Sequence, residues 1–159
     1  MIVISDTSVI SNLAQVHQID LLRELYSRIV IPQKVKEELN NDPSTLELVK
    51  DIDWIDIGKI SNQDLYNNLI IDLDPGEAEA IVLAKELGAG LLMIDERKGR
   101  KIAKENGIPI VGVPGLLTEA KKEGLIDKVK PILAKLIFEI GFRVNPKLYR
   151  YVLSTVDEI

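Results

Sequence analysis

The sequence predicts an α/β fold organised around a mostly parallel β-sheet of about four or five strands. Short apolar runs alternate along the chain with segments of helical period, the pattern of successive βαβ units. Several of these runs are almost continuous in Ile, Val and Leu, as expected for strands that are buried on both faces of a sheet. Aromatic residues make up only 4% of the chain, so the core must be built from aliphatic side chains.

The candidate strands are apolar runs too short for helices and bounded by turn-forming residues. In chain order they are residues 2–5, 28–31, 54–57, 91–94 and 108–111. Apolar residues at helical spacing predict one or two helices within residues 11–26. Pro32 is placed to open a helix over residues 33–40, and Ser44 and Ser61 are the expected caps of helices that end near residues 50 and 70.

The second half of the chain is more strongly helical. Asp74, Pro75 and Gly76 form an expected turn before an alanine-rich helix over residues 77–87, which ends at Gly88. From residue 116 onward the pattern is helical in pieces. This C-terminal part is too apolar to remain in water, so it must cover the sheet, a partner chain or both. We therefore expect a single domain over residues 1–159, with residues 116–159 as a helical C-terminal extension.

Composition excludes several classes of function. The chain of 159 residues contains no cysteine, which removes disulfides, thiolate catalysis and cysteine-bound zinc. Its one histidine, His17, has no evident base or nucleophile partner. The net charge of −5 means that a nucleic acid would have to be held by a local basic patch. No apolar run is long enough to span a bilayer, so a cytoplasmic protein is expected.

Two strand-like runs end abruptly on an aspartate, Asp6 and Asp95. Because parallel strands place functional groups at the carboxyl edge of their sheet, these side chains meet if their strands are neighbours. Close carboxylates repel one another unless a positive charge lies between them, and a divalent cation is a common partner for oxygen ligands. The pair therefore predicts a metal-dependent enzyme.

Helical geometry suggests which glutamates join this pair. Residues advance by about 100° along a helix, so Glu38 borders the apolar stripe of its helix whereas Glu37 lies on the opposite face. By the same argument, we expect Glu77 on the apolar face of the alanine-rich helix and Glu79 well away from that face. Each of these acids alone could equally be a solvated residue or a partner of the helix dipole.

In this order, and with Thr7 and Ser8 after Asp6, these acids make the chain resemble the PIN-domain family, over roughly its whole length. The stretches 95–103 and 112–117 resemble a prokaryotic branch of PIN-like proteins. The resemblance implies a three-layer α/β/α sandwich and an acidic site formed by Asp6, Glu38, Glu77 and Asp95, with Thr7 or Ser8 as the supporting hydroxyl. Glu79 stays open as the alternative third acid. The wider family includes VapC-type toxins, which are magnesium-dependent ribonucleases, often dimeric and neutralised by an antitoxin.

The chemistry expected of such a site is hydrolysis of RNA phosphodiester bonds with Mg²⁺ or Mn²⁺ as cofactor. Mg²⁺ is held by a few carboxylates, water and substrate phosphate, and it acidifies a bound water. Asp6 and Asp95 are the expected direct ligands, and the roles of Glu38 and Glu77 stay open. A basic run follows Asp95 and could contact RNA phosphates, namely Arg97, Lys98, Arg100 and Lys101.

Two alternatives come from other classes of function. One is a catalytically inactive PIN-like module that binds RNA or a protein. The other is a phosphatase with Asp6 as nucleophile, but that scheme requires a second aspartate two residues later, where the chain has Ser8. The leading hypothesis is the ribonuclease, as the toxin of a toxin–antitoxin pair and as a homodimer.

Overall fold

A computed structural model describes residues 1–159 and contains a five-stranded, fully parallel sheet. The strand order is β3-β2-β1-β4-β5, which confirms the predicted fold class. Each strand lies within or next to a predicted run. The central strands β1, β2 and β4 are largely buried, and strands buried on both faces need nearly continuous apolar sequence. The strands are β1 Val3–Ser5, β2 Ile29–Pro32, β3 Ile55–Gly58, β4 Leu91–Met93 and β5 Ile110–Val111.

Ten α-helices connect and follow the strands. They are α1 Thr7–Gln15, α2 Asp20–Tyr26, α3 Gln33–Asn40, α4 Pro43–Val49, α5 Gln63–Leu69, α6 Pro75–Leu87, α7 Arg97–Glu105, α8 Val113–Lys122, α9 Lys130–Lys135 and α10 Pro146–Thr155. A π-helical turn, Leu136–Ile140, continues directly from α9.

Some helix starts differ from the sequence prediction because other side chains cap them. The side chain of Asp6 accepts a hydrogen bond from the Val9 amide, so α1 begins immediately after β1. Asp42 and Asn62 cap α4 and α5, in place of the predicted Ser44 and Ser61. Asp and Asn accept from the exposed amides of a first turn at least as well as Ser does.

The sheet is covered on both faces, which forms the expected three layers. Along β1 the side chain of Val3 belongs to one apolar cluster and that of Ile4 to the other, because successive strand residues point to opposite faces. The first cluster includes buried residues from α1, α2, α3, α8 and α9. The second is formed mainly with α5, α6 and α7.

Most of the apolar C-terminal part lies against the first face of the sheet. Leu117, Val129, Leu133 and Leu136 are fully buried within the first cluster. α10 packs on α8, and the π-helical turn packs on α1. Phe138 is an exception, since 84% of its surface is exposed. None of the helices combines the length and apolarity required to cross a membrane.

Candidate active site

Asp6 and Asp95 lie at the same edge of the sheet, at the carboxyl ends of two paired strands. β1 pairs with β4 so that Ser5 is opposite Met93, and the Asp6 amide donates to the Met93 carbonyl at 3.1 Å. The negative charge of Asp95 raises the pKa of Asp6, which reflects their proximity. The sequence inference that these two carboxylates approach one another is therefore consistent with the strand pairing.

The Asp6 side chain is almost completely buried and caps α1. Its Oδ1 accepts from the Val9 amide at 3.0 Å, and its Oδ2 accepts from Ser8 Oγ at 3.2 Å. Burial raises the pKa of Asp6 to about 7, although the Val9 hydrogen bond opposes the shift. Asp6 is thus both a structural cap and an acid that is only partly ionised at neutral pH.

Asp95 is held by the first turn of α8 through one oxygen only. Its Oδ1 accepts from the Val113 amide at 2.9 Å, while its buried Oδ2 has no hydrogen-bond partner. Burial raises the pKa of Asp95 to about 6, against the opposing effects of the Val113 hydrogen bond and the Arg100 charge. Gly112 leaves the space that Asp95 Oδ1 occupies, since a Cβ at that position would collide with this oxygen.

Glu77 approaches the cluster from the first turn of α6. Its buried Oε2 also lacks a partner and lies against α7, where a Cβ on Gly99 would be 2.8 Å away. Burial, the side-chain hydrogen bond with Asp74 and the charges of Asp74, Glu96 and Asp6 together raise the pKa of Glu77 to about 9. Glu77 is therefore the most strongly perturbed acid of the group.

Glu38 lies at one side of this group and is held by the hydroxyl of Thr7, one of the two predicted supporting residues. Thr7 Oγ1 donates to Glu38 Oε1 at 2.7 Å, whereas Ser8 serves Asp6. Burial raises the pKa of Glu38, and the charge of Asp74 adds to the shift despite the Thr7 hydrogen bond. Its Oε1 occupies the space where Gly76 has no Cβ, which places Glu38 directly beside the start of α6.

The sequence argument about Glu79 was wrong in its direction. Glu79 is buried, with 8% of its surface exposed, and its Oε1 accepts from the Lys34 amide at 2.9 Å in the first turn of α3. α6 packs against both the sheet and α3, so it has two buried sides where the facing argument assumed one. Glu79 is occupied in this contact, whereas Glu77 has a free oxygen.

Sequence reasoning missed Asp74, which it treated only as a turn residue. Asp74 caps α6 by accepting from the Glu77 amide at 2.9 Å, and its charge raises the pKa of Asp6, Glu38 and Glu77. Asp74 thus lies among the predicted acids. An Asp three residues before Glu77 at a helix start is a capping pattern, and this pattern was the available signal.

The four predicted phosphate-binding residues lie on α7 but have different surroundings. Arg97 and Arg100 line a groove next to Asp95, whereas Lys98 and Lys101 do not. Arg100 Nη1 donates to the Ile94 carbonyl at 2.8 Å, and Lys98 Nζ lies 3.9 Å from Asp72. The arginine pair is therefore the part of the basic run that faces the acidic edge.

The donor atoms suit a hard divalent cation. Glu77 Oε2 and Asp95 Oδ2 are the buried side-chain oxygens that have no hydrogen-bond partner. No three acidic or histidine side chains approach closely enough to share one ion among themselves. Mg²⁺ typically uses one or two carboxylates together with water and substrate phosphate, so this donor set fits it.

A groove of about 1170 Å³ leads away from the acids. Asp95, Glu96 and the two arginines form one wall, and the segment that joins the π-helical turn to α10 contributes the other. Of the four predicted acids, Asp95 alone lines this groove, so the groove reaches the acidic edge at Asp95.

Comparisons with known proteins agree with this architecture. The chain shares 21% identity, with a TM-score of 0.57, with the structure of a PilT N-terminus domain protein from the hyperthermophilic archaeon Sulfolobus solfataricus. The similarity covers 76% of this chain and 93% of that one, and at this identity it supports the fold alone. No curated protein matches the chain. A PIN-domain family model matches residues 2–158, so the chain belongs to the PIN-domain family, whose members are generally nucleases.

Proposed function

We propose that the protein is a Mg²⁺- or Mn²⁺-dependent endoribonuclease that hydrolyses phosphodiester bonds in RNA. The observation that supports this proposal best is the pair of buried, unpartnered oxygens Glu77 Oε2 and Asp95 Oδ2, which lie beside Asp6 at the sheet edge. Buried polar atoms normally have a partner, so two orphaned acceptors in one acidic cluster favour a cation.

Glu77 and Asp95 would hold the cation through their free oxygens, and Asp6 and Glu38 would hold water bound to it. When bound, Mg²⁺ acidifies a water and stabilises negative charge on the phosphate. The protein's own residues hold the carboxylates in position and carry protons at the site. Val9 and Ser8 fix the Asp6 carboxylate, and Glu77 holds a proton at neutral pH because its pKa is about 9.

The raised pKa values predict that cation binding displaces protons. Asp6, with a pKa of about 7, and Glu77, with a pKa of about 9, are wholly or partly protonated at pH 7. A carboxyl must be ionised to bind a metal, so affinity should rise as pH increases from about 6 to 9. Arg97 and Arg100, on the groove wall next to Asp95, are placed to hold the phosphates of the RNA.

The test is cleavage of labelled single-stranded RNA by the purified protein with Mg²⁺, Mn²⁺ or EDTA. We expect cleavage that requires the cation, and a loss of at least about 100-fold in Asp6→Asn and Asp95→Asn, because each removes a charge at the site. Glu77→Gln should behave in the same way. Glu79→Gln is the matched control on the same helix, since Glu79 bonds to α3 and should leave cleavage largely intact.

Equal cleavage by wild-type protein and by folded Asp6→Asn and Asp95→Asn variants would contradict the metal-site proposal. RNA binding without cleavage in any divalent cation would instead identify the non-catalytic module. Calorimetry with Mn²⁺ in two buffers of different ionisation enthalpy would count the protons released. No proton release at pH 7 would also contradict the assignment of Asp6 and Glu77 to the cation site.

The role as the toxin of a toxin–antitoxin pair, and the homodimer, stay predictions. Phe138, with 84% of its surface exposed in the apolar C-terminal part, is the residue that we propose for a contact with another chain. Sedimentation of the wild-type protein and of Phe138→Ser would test the dimer. A wild-type protein that remains monomeric at high concentration would contradict it.

A further inference from the structure

We propose that the C-terminal segment contributes two RNA-contacting residues to the substrate groove, with Arg143 contacting a phosphate and Tyr151 stacking on a base. This inference rests on the proposed ribonuclease function, since it assigns substrate-contacting residues to the same site. Both residues lie far from the acids in sequence.

The two walls of the groove come from distant parts of the chain. Asp95, Arg97 and Arg100 form the wall at the acidic edge, and Arg143 and Tyr151 line the groove from the C-terminal side. The C-terminal wall is anchored because Val152, the neighbour of Tyr151, is buried in the main core cluster. A strand of RNA lying in this groove would pass next to Asp95.

The charge along the groove complements a polyanion. Arg97, Arg100 and Arg143 line it although the whole chain has a net charge of −5. None of the three forms an ion pair with a carboxylate at a bonding distance, whereas Arg28 and Lys121 elsewhere in the chain do. Arg100 also donates to the Ile94 carbonyl, whereas the side chains of Arg97 and Arg143 make no hydrogen bond within the protein. These two arginines are therefore the ones best suited to phosphate, which an arginine binds with two parallel hydrogen bonds.

Tyr151 indicates that the occupant is unpaired. Its side chain is 65% exposed on α10, an amphipathic helix whose buried residues are Val152 and Leu153. An exposed ring on a groove wall provides a surface for base stacking, which is how proteins bind single-stranded nucleic acid. Bases in an RNA duplex already stack on each other, so Tyr151 could not reach their faces.

The test measures binding separately from cleavage, by fluorescence anisotropy of a labelled 12-nucleotide uridine RNA in EDTA. We expect Tyr151→Ala to weaken binding by about tenfold, the usual range for loss of one stacked base. Tyr151→Phe keeps the ring and should bind like wild type. Arg143→Gln should weaken binding and reduce the slope of log affinity against log salt by about 0.7, the value for one phosphate contact on a single strand.

Arg150→Gln is the matched control, because Arg150 is exposed on α10 next to Tyr151 but does not line the groove. It removes the same charge and should leave the binding curve close to wild type. A blunt RNA duplex of equal length should bind more weakly and be insensitive to Tyr151→Ala. Arg143, Arg150 and Tyr151 are all exposed, so their substitution should not disturb the core. Equal urea midpoints would show that the variants fold.

The outcomes separate this inference from the ribonuclease proposal. Binding that depends on Arg143 and Tyr151, without cleavage in any cation, would support the groove and contradict the nuclease. Metal-dependent cleavage, together with Arg143→Gln and Tyr151→Ala variants that bind RNA as tightly as wild type, would overturn the proposed roles of Arg143 and Tyr151. These roles would also be overturned if the wild-type protein did not bind the RNA, if Arg150→Gln weakened binding equally, or if duplex bound more tightly.

Discussion

Replacing Asp6 by Asn should make the stability of the metal-free protein less dependent on pH. The substitution removes a charge that is buried among other acids but keeps an oxygen that can accept from the Val9 amide. Asn is as good a helix cap as Asp, so α1 should still begin at Thr7. The comparison therefore isolates the cost of ionising one carboxyl at this edge of the sheet.

The magnitude follows from the pKa of Asp6, which is about 7 in the folded protein and 3.8 as its ordinary value. Because the folded pKa is raised, the native state binds the proton more tightly, and stability falls as pH rises from about 4 to 7. At about 1.4 kcal/mol per pKa unit, the raised pKa lowers the stability of the folded protein, relative to low pH, by about 4 kcal/mol at pH 8 and about 2 kcal/mol at pH 5. The wild-type protein should lose about 2 to 3 kcal/mol more than Asp6→Asn over this interval.

The assay is urea unfolding of both proteins at pH 5 and pH 8 in EDTA, followed by the same measurement with Mg²⁺. Asp6→Asn should be the more stable protein at pH 8 without metal, and Mg²⁺ should raise the midpoint of the wild type more than that of the variant. Parallel loss of stability in the two proteins between pH 5 and pH 8 would refute the reasoning. It would mean that Asp6 ionises in the folded protein as easily as in the unfolded chain.

Three further substitutions test individual contacts. Glu79→Ala should lower the free energy of unfolding by about 1 to 2 kcal/mol, because it removes the bond to the Lys34 amide; an unchanged urea midpoint would argue against that contact. Gly112→Ala should weaken Mn²⁺ binding and destabilise by about 1 to 3 kcal/mol, because the new Cβ displaces Asp95; calorimetry and unfolding measure both. Glu158→Gln should destabilise the protein by about 1 kcal/mol at pH 7 and by less at pH 3. Burial raises the pKa of Glu158, but the hydrogen bonds to its carboxylate lower it by more, so the pKa lies below its usual value. Equal loss of stability at both pH values would contradict this.

Sequence reasoning succeeded where one physical requirement dominates. Short apolar runs bounded by turn residues indicate strands, so all five were located to within about two residues, although only β1, β2 and β4 are largely buried. The abrupt Asp after β1 and after β4 required only that these strands be neighbours, and the strand order makes them so. The sequence favoured Glu77 over Glu79 because Glu77 was expected on the apolar face of its helix. In the structure, the difference between them is that Glu79 already accepts a hydrogen bond from α3.

The remaining features depend on contacts between segments that are distant in the chain. Asp74 belongs with the acids because α6 starts beside Glu38, which helical periodicity within one segment cannot reveal. The burial of Glu79 has the same origin, since a single-stripe argument cannot anticipate a helix packed on two sides.

The sequence by itself determined the order of strands and helices and the acids available to a cation, because local pattern specifies which residues are buried and where each strand ends. Only the tertiary structure decided which oxygens are free and which are occupied. It also brought Arg143 and Tyr151 into one groove with Arg97, since residues about fifty positions apart meet only when the C-terminal helices pack on the sheet. Burial and neighbouring negative charge at the acidic sheet edge raise the pKa values of Asp6 and Glu77, and neither exists until the chain has folded.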